Sequence, residues 1–305
     1  MPRFDKWLTA VGPDAPVQRA ARKAIESRLA AVEHFLQQAA DVTGRPEDDA
    51  EAVHQLRIWT RRGAAALRLF RDLLPWRRAR WLRRKLRQLR RAAGEARDAD
   101  VLVQQLEQTD EPALAHTAIH LRQKRKRAER KLATFSKALV RRGQLDRKRR
   151  KLLDKTRWRH KKTPPKYGPW CRGQLRPLCE RFFELANADL APDQAIHELR
   201  LAGKRLRYAL ELAPAAIPAA LHRRLYDELS DLQDRLGVLC DAMVAVERMQ
   251  EWLADASDPA SRRHLQAALR RQELQLASRR QRFLRWWSVR RREKMHRAWE
   301  KAIGP

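Results

Sequence analysis

Carboxylates are the scarce charge in this chain: 37 Asp and Glu stand against 68 Lys and Arg, a formal net charge of +31 over 305 residues. An imbalance of that size works against a compact state by self-repulsion and draws polyanions, so inorganic polyphosphate, nucleic acid and an anionic membrane surface are the candidate partner classes. Long apolar runs are missing as well. No stretch reaches 18 apolar residues, which excludes a bilayer-spanning helix. The opening MPRFDKWLTAVGPDAPV lacks a continuous apolar core and does not read as a signal peptide. Cysteine is limited to Cys171, Cys179 and Cys240, an odd number without metal spacing. They read as free thiols in a reducing compartment, and the expected address is the cytoplasm. Glycine (10) and proline (15) are few, while 43% of residues are hydrophobic. That composition excludes a loop-rich scaffold, supplies a core, and points to an all-α fold. No glycine-rich phosphate loop and no Walker motif occurs, so the expected protein is not an enzyme and needs no cofactor.

What is present is a duplication. Ala52 to Phe70, AVHQLRIWTRRGAAALRLF, returns as Ala195 to Ala213, AIHELRLAGKRLRYALELA. His54 pairs with His197, Arg57 with Arg200, Arg61 with Lys204, Arg62 with Arg205, and Arg68 with Glu211, at an offset of 143, the difference between 197 and 54. The same offset carries Gly94 onto Gly237 and Asp98 onto Asp241.

At about 100° per residue, Arg57, Arg61 and Arg68 fall within about 60° of His54, and Leu56, Trp59, Gly63, Ala66, Leu67 and Phe70 gather opposite. The second copy sorts alike: His197, Arg200, Lys204 and Arg207 share one face, and Leu199, Ala202, Leu206, Ala209, Leu210 and Ala213 oppose it. Alternate residues do not sort by polarity, so a strand is excluded. Each copy predicts an amphipathic helix with one buried and one cationic stripe. A merely solvated face would mix acids with bases, because helices favour i,i+4 pairs of opposite sign. Like charges stacked a turn apart cost about a few tenths of a kcal/mol per pair. A cost repeated at matched positions points to an anionic ligand that offsets it. The histidine heading each stripe adds a group that charges near neutrality.

HQLRxxxRR and HELRxxxKRLRYALEL resemble the signature of the CHAD family, the conserved histidine α-helical domain, and GEARDADVL (94–102) and LGVLCDAMV (236–244) resemble the segment that follows in each half. The resemblance covers roughly residues 16 to 300. It implies two four-helix repeats about a pseudo-two-fold axis, a basic central channel, and binding of inorganic polyphosphate. Carried over by position, the site residues are His54, Arg57, Arg61, His197, Arg200, Lys204 and Arg207, with Arg62, Arg68 and Arg205 beside them. Ala64 departs from the pattern, standing where Arg207's counterpart should be, so the two halves of the site are expected to be unequal. Polyphosphate granules and polyphosphate-metabolising enzymes are the further partners it implies. The whole chain is expected to be one domain: an N-terminal repeat over about 16–162, a linker at 163–170, and a C-terminal repeat over about 171–303.

In chain order, residues 1 to 16 read as a leader. A first helix runs from Val17 to about Ala40 on Ile25, Leu29, Val32 and Leu36, and GRPEDD (44–49) reads as a turn whose acids suit the N-terminal end of the helix that follows. The first motif helix is expected to stop near Pro75. Arg77 to Arg91 is a helix on Leu82, Leu86, Leu89 and Ala93, its arginines mostly outward. Arg90 and Arg97 border its apolar stripe and join the candidate site, while Asp98 and Asp241 read as structural ion pairs or caps. A long helix covers about Ala113 to Leu139. There His116 and His120 lack a third ligand and do not make a metal site, and Lys124 is the cation added to the site. Thr163 to Pro169 (TPPKYGP) is the joint between halves. Helices are then expected over about 172–188, from the second motif to about Ala213, over about 221–253, and as one last helix from near Ser261. Phe283, Leu284 and Trp287 there read as core rather than as base-stacking rings. Nucleic acid is the alternative ligand. Neither cationic stripe interleaves aromatics or presents Asn or Gln, as strand stacking or groove reading would want.

Overall fold

The computed structural model describes residues 4–41, 46–107, 115–160, 163–256 and 258–304, with side chains described except at 46–49, 96–107, 115–122, 124, 260 and 261. Every regular element among them is helical, and the chain divides into two compact units, Met1–Trp170 and Cys171–Pro305.

In the first unit α1 (Val17–Ala40), α2 (Pro46–Leu69), α3 (Trp76–Glu107) and α4 (Ala115–Arg141) form a closed bundle, α2 packing on α1 and α3, and α4 returning to α1. A shorter α5 (Gln144–Leu153) lies against α1 and α3. The predicted stripes meet at the centre: Ile25, Leu29, Leu56, Leu67, Leu82 and Leu89 are all fully buried. Gly63 makes the close approach possible. A Cβ there would stand 3.3 Å from Leu86 Cδ1 and 3.4 Å from Leu29 Cδ2, tighter than most side chains tolerate.

Three expectations for this unit change, and one helix was not foreseen. The acids of PEDD stand at the N-terminal end of the motif helix as expected, but within α2 rather than in a turn before it, and Pro46 gives up an N–H that would have no intrahelical partner anyway; residues 42–45 lie outside the described set. α2 ends at Leu69, ahead of Pro75, because the chain tightens into a 3-10 turn at Arg71–Leu73. α5 was hidden by its charge, since Leu145 and Leu152 are its only buried side chains. The leader is part of the core: Leu8 and Val11 are buried, Phe4 packs on Trp59 (5.8 Å), and buried Arg28 donates through Nη2 to Lys6 O (2.8 Å). The proline-rich joint is pinned to this leader by Tyr167 N to Ala15 O and Gly168 N to Pro13 O, both 2.8 Å.

Glu33, on α1, gives a pH-dependent test. Burial pushes its carboxyl up to about 7, and Arg149, 3.3 Å away but shared with Asp146 at 2.6 Å, recovers only part of that. Because the folded value lies above the ordinary 4.5, the folded chain holds the extra proton and loses stability as pH rises from about 4.5 through 7. Glu33→Gln is therefore expected to stabilise the protein at pH 8 by up to about 3 kcal/mol and to do little at pH 4.5, read by denaturation at both values. Equal effects at the two values would contradict the burial argument.

The second unit contains most of α6 (Tyr167–Asn187), then α7 (Asp193–Leu210), α8 (Ala219–Asp255), α9 (Pro259–Trp286) and α10 (Val289–Ile303), with α8 packed on α7, α9 and α10. Phe182 on α6 reaches α7 and stands edge-on to Trp287. The expected last helix is two. The chain breaks at Trp287–Ser288, where Trp287 is 2% exposed and Ser288 Oγ caps α10 by accepting from Arg291 N (3.4 Å). Phe283 and Trp287 are core as expected, but Leu284 is 40% exposed. α7 stops at Leu210, and turns carry the chain on to Ala213. All three cysteines are free and buried, and burial pushes the Cys179 thiol up to about 12. No helix among the described residues is long and apolar enough to cross a membrane.

Candidate functional site

Each motif copy folds as its helical period requires. On α2, Leu56, Ala66 and Leu67 are fully buried and Trp59 nearly so, and Phe70, just past its end, is fully buried too. On the other side His54 and Arg68 are exposed, and Arg57 and Arg61 are half-buried. On α7, Leu199 and Leu206 are fully buried, His197 is exposed, and Arg200 and Lys204 are half-buried. From His54 to Arg68, and from His197 to Arg207, these stripes carry no carboxylate.

The neighbouring helix meets the stripe at a glycine in each unit. A Cβ on Gly94 of α3 would stand 4.0 Å from Arg57 Cζ, and a Cβ on Gly237 of α8 would stand 4.0 Å from Arg200 Nη2. The duplicated glycines are thus the places where duplicated arginines lie against bare backbone. Any side chain longer than a methyl would push the guanidinium aside. The sequence showed both pairs at one offset without showing why glycine was needed.

Arg90 lies one turn before Gly94 on α3 and is half-buried, which puts it on the side that meets Arg57. Arg97 is three residues past Gly94 on the same helix; its side chain, with those of Asp98, His116, His120 and Lys124, lies outside the described set. In the second unit, Arg200 and Lys204 lie near enough to Cys240, three residues past Gly237, to favour its thiolate against the burial that raises the thiol. Arg200 Nε is buried without a hydrogen-bond partner. Among the described residues no group of three or more His, Cys, Asp or Glu is placed to hold a metal ion.

Three candidates stand apart from the stripes. Arg62 lies over the Trp59 ring, 4.6 Å from its centre. Ala202 occupies the matching place in the second copy, and Arg205 is exposed. Arg207 is engaged inside its own unit: Nη1 donates to Glu211 Oε1 (3.2 Å) and to Tyr226 Oη (2.7 Å), and its guanidinium covers the Tyr208 ring at 4.7 Å. Glu211 is fully buried, and burial together with Glu211 pushes the Tyr226 phenol up to about 12. Arg207 and Glu211 cancel one another, and their counterparts are neutral Ala64 and exposed Arg68. The missing cation at Ala64 is therefore matched by one that Glu211 neutralises. The i,i+4 spacing of Arg207 and Glu211 was the signal that could have revealed this.

A family model described as CHAD domain matches residues 26–250. Among solved structures, the CHAD domain from the plant Ricinus communis is 22% identical over 92% of this chain and 96% of that one, with a TM-score of 0.68. PptA from Streptomyces chartreusis is 16% identical over 90% of this chain and 99% of that one, with a TM-score of 0.59. These likenesses show the all-helical fold. No curated protein matches.

Proposed function

The chain belongs to the CHAD family, and from that premise we propose that it binds inorganic polyphosphate through the His/Arg/Lys faces of α2 and α7, without turning it over. The observation that carries this reading is the pair of acid-free cationic stripes, each with its central arginine seated against a glycine. Polyphosphate is a flexible string of closely spaced negative charges, and a row of fixed cations meets it repeatedly. Arginine offers a planar fork to phosphate oxygens and lysine a mobile point charge. His54 to Arg68 extends about 21 Å at 1.5 Å per residue, room for several successive phosphates. In this reading the two units are repeats of one domain, a single polyanion engages both faces along the central channel that the family resemblance implies, and Arg90, Arg97 and Lys124 extend its lining. The setting is the cytoplasm, at polyphosphate granules or beside enzymes that make or consume the polymer.

Titration with long-chain polyphosphate tests the reading. Binding is expected to saturate and to weaken steeply with salt, because each phosphate contact releases counterions. His54→Ala with His197→Ala should weaken it at fixed pH and ionic strength, since both residues head the stripes and are exposed. Unchanged affinity in that variant would remove the histidines from the binding role.

A further inference from the structure

Away from both motif helices, the first unit has a second cationic feature of different composition. A cleft of about 610 Å³, within the range of small-ligand sites, opens where the 3-10 turn runs into α3 and the chain leaves α5. Five cations line it, Arg77, Arg78, Lys155, Arg157 and Arg159, together with Trp76, and no carboxylate does. Trp76 is 61% exposed, the most open aromatic ring among the large hydrophobic side chains of the described residues.

The walls are held before any ligand arrives. Arg157 N donates to Leu73 O (3.2 Å) and Arg78 Nη1 to Lys151 O (2.6 Å). Between them Thr156 is fully buried, its hydroxyl on Leu152 O (2.8 Å) and its carbonyl taking Arg22 Nε (3.1 Å). Arg159 folds back onto Lys155 O (3.2 Å), while Arg77, Lys155 and Arg157 make no ion pair among the described residues. Two acids lie close in sequence: Asp72, which is paired with Arg71 (3.3 Å), and Asp154, the exposed neighbour of Lys155, which is not part of the lining.

A bare phosphate chain uses the cations but gains nothing from an open indole. A chain of phosphates that also carries flat rings uses both. Base stacking on an aromatic side chain is tolerant of sequence, and neighbouring arginines track the backbone. Arg80 lies over the Trp76 ring, 5.5 Å from its centre, and adds a further charge at this ring, which is still 61% exposed. We propose that this cleft is a second ligand site, taking single-stranded nucleic acid with a base on Trp76 and the flanking phosphates on Arg77, Arg157 and their neighbours. It is separate from the polyphosphate faces of α2 and α7, whose stripes carry no exposed Trp, Tyr or Phe.

The test compares a short oligothymidylate with an abasic oligonucleotide of equal length, on the full chain at one ionic strength, by fluorescence anisotropy. The two share every phosphate and differ only in their bases. The wild-type chain is expected to hold the oligothymidylate about tenfold more tightly, the scale of a stacked base. Trp76→Ala should bring that ratio to about one, and Trp76→Phe should keep most of it. Because Trp76 is exposed, neither variant is expected to disturb the core, and unchanged helicity checks this. A ratio near one in the wild-type chain would overturn the proposal, and so would a tenfold ratio that persists in Trp76→Ala.

Discussion

Reversing both motif arginines, Arg57→Glu with Arg200→Glu, is expected to weaken long-chain polyphosphate binding by at least about 100-fold and to leave far-ultraviolet helicity unchanged. Hydrogen bonds to charged partners contribute about 1.5–3 kcal/mol each, so losing two costs about 3–6 kcal/mol before any repulsion from the new carboxylates is added. Helicity should survive because both side chains are half-buried on the face opposite the core, and each guanidinium meets its neighbouring helix at a glycine rather than an interlocked side chain. Calorimetric titration measures the first half of this expectation and circular dichroism the second. Wild-type affinity in a folded double variant would remove α2 and α7 from the site.

Arg207→Ala should produce the opposite pattern, a loss of about 3–5 kcal/mol of stability with a much smaller effect on the affinity of the folded chain. Removing the arginine takes the ion-pair partner from Glu211, which is fully buried and also accepts from Tyr226 Oη (3.2 Å), and breaking a buried ion pair is among the costliest single changes. Arg61→Ala, on the open face of the equivalent helix, is the control and should stay within about 0.5 kcal/mol of wild type. Urea denaturation distinguishes them. If Arg207→Ala is as stable as the control, the Arg207–Glu211–Tyr226 cluster is not the structural element described here.

These two variants also mark where the sequence could be read and where it could not. The identity of the helices, their buried faces and the matching of His54 to His197 follow from periodicity and a constant offset. Those signals survive because an amphipathic helix buries the same positions whatever packs against it. The fate of Arg207 depends on Tyr226, nineteen residues away on another helix, and no spacing rule brings that phenol to the guanidinium. The role of Gly94 and Gly237 was equally out of reach, since a glycine inside a helix announces a close approach without naming what approaches. α5 shows a different failure. Two buried leucines seven apart, set among basic residues, are too few to outweigh a charge run. The break between α9 and α10 turns on Ser288 as a helix cap, a local signal lost inside a continuous basic stretch. In the sequence Trp76 merely precedes the basic run that begins at Arg77. Only the fold sets it beside Arg157 and Arg159, which arrive from beyond α5.

The central claim, that the duplicated cationic faces hold one long inorganic anion, is tested most directly by titrating the wild-type chain calorimetrically with long-chain polyphosphate and, separately, with tripolyphosphate. The account predicts one long chain bound per protein with far higher affinity than tripolyphosphate at the same ionic strength. Tripolyphosphate binding as tightly as the polymer, at independent equal sites, would contradict it.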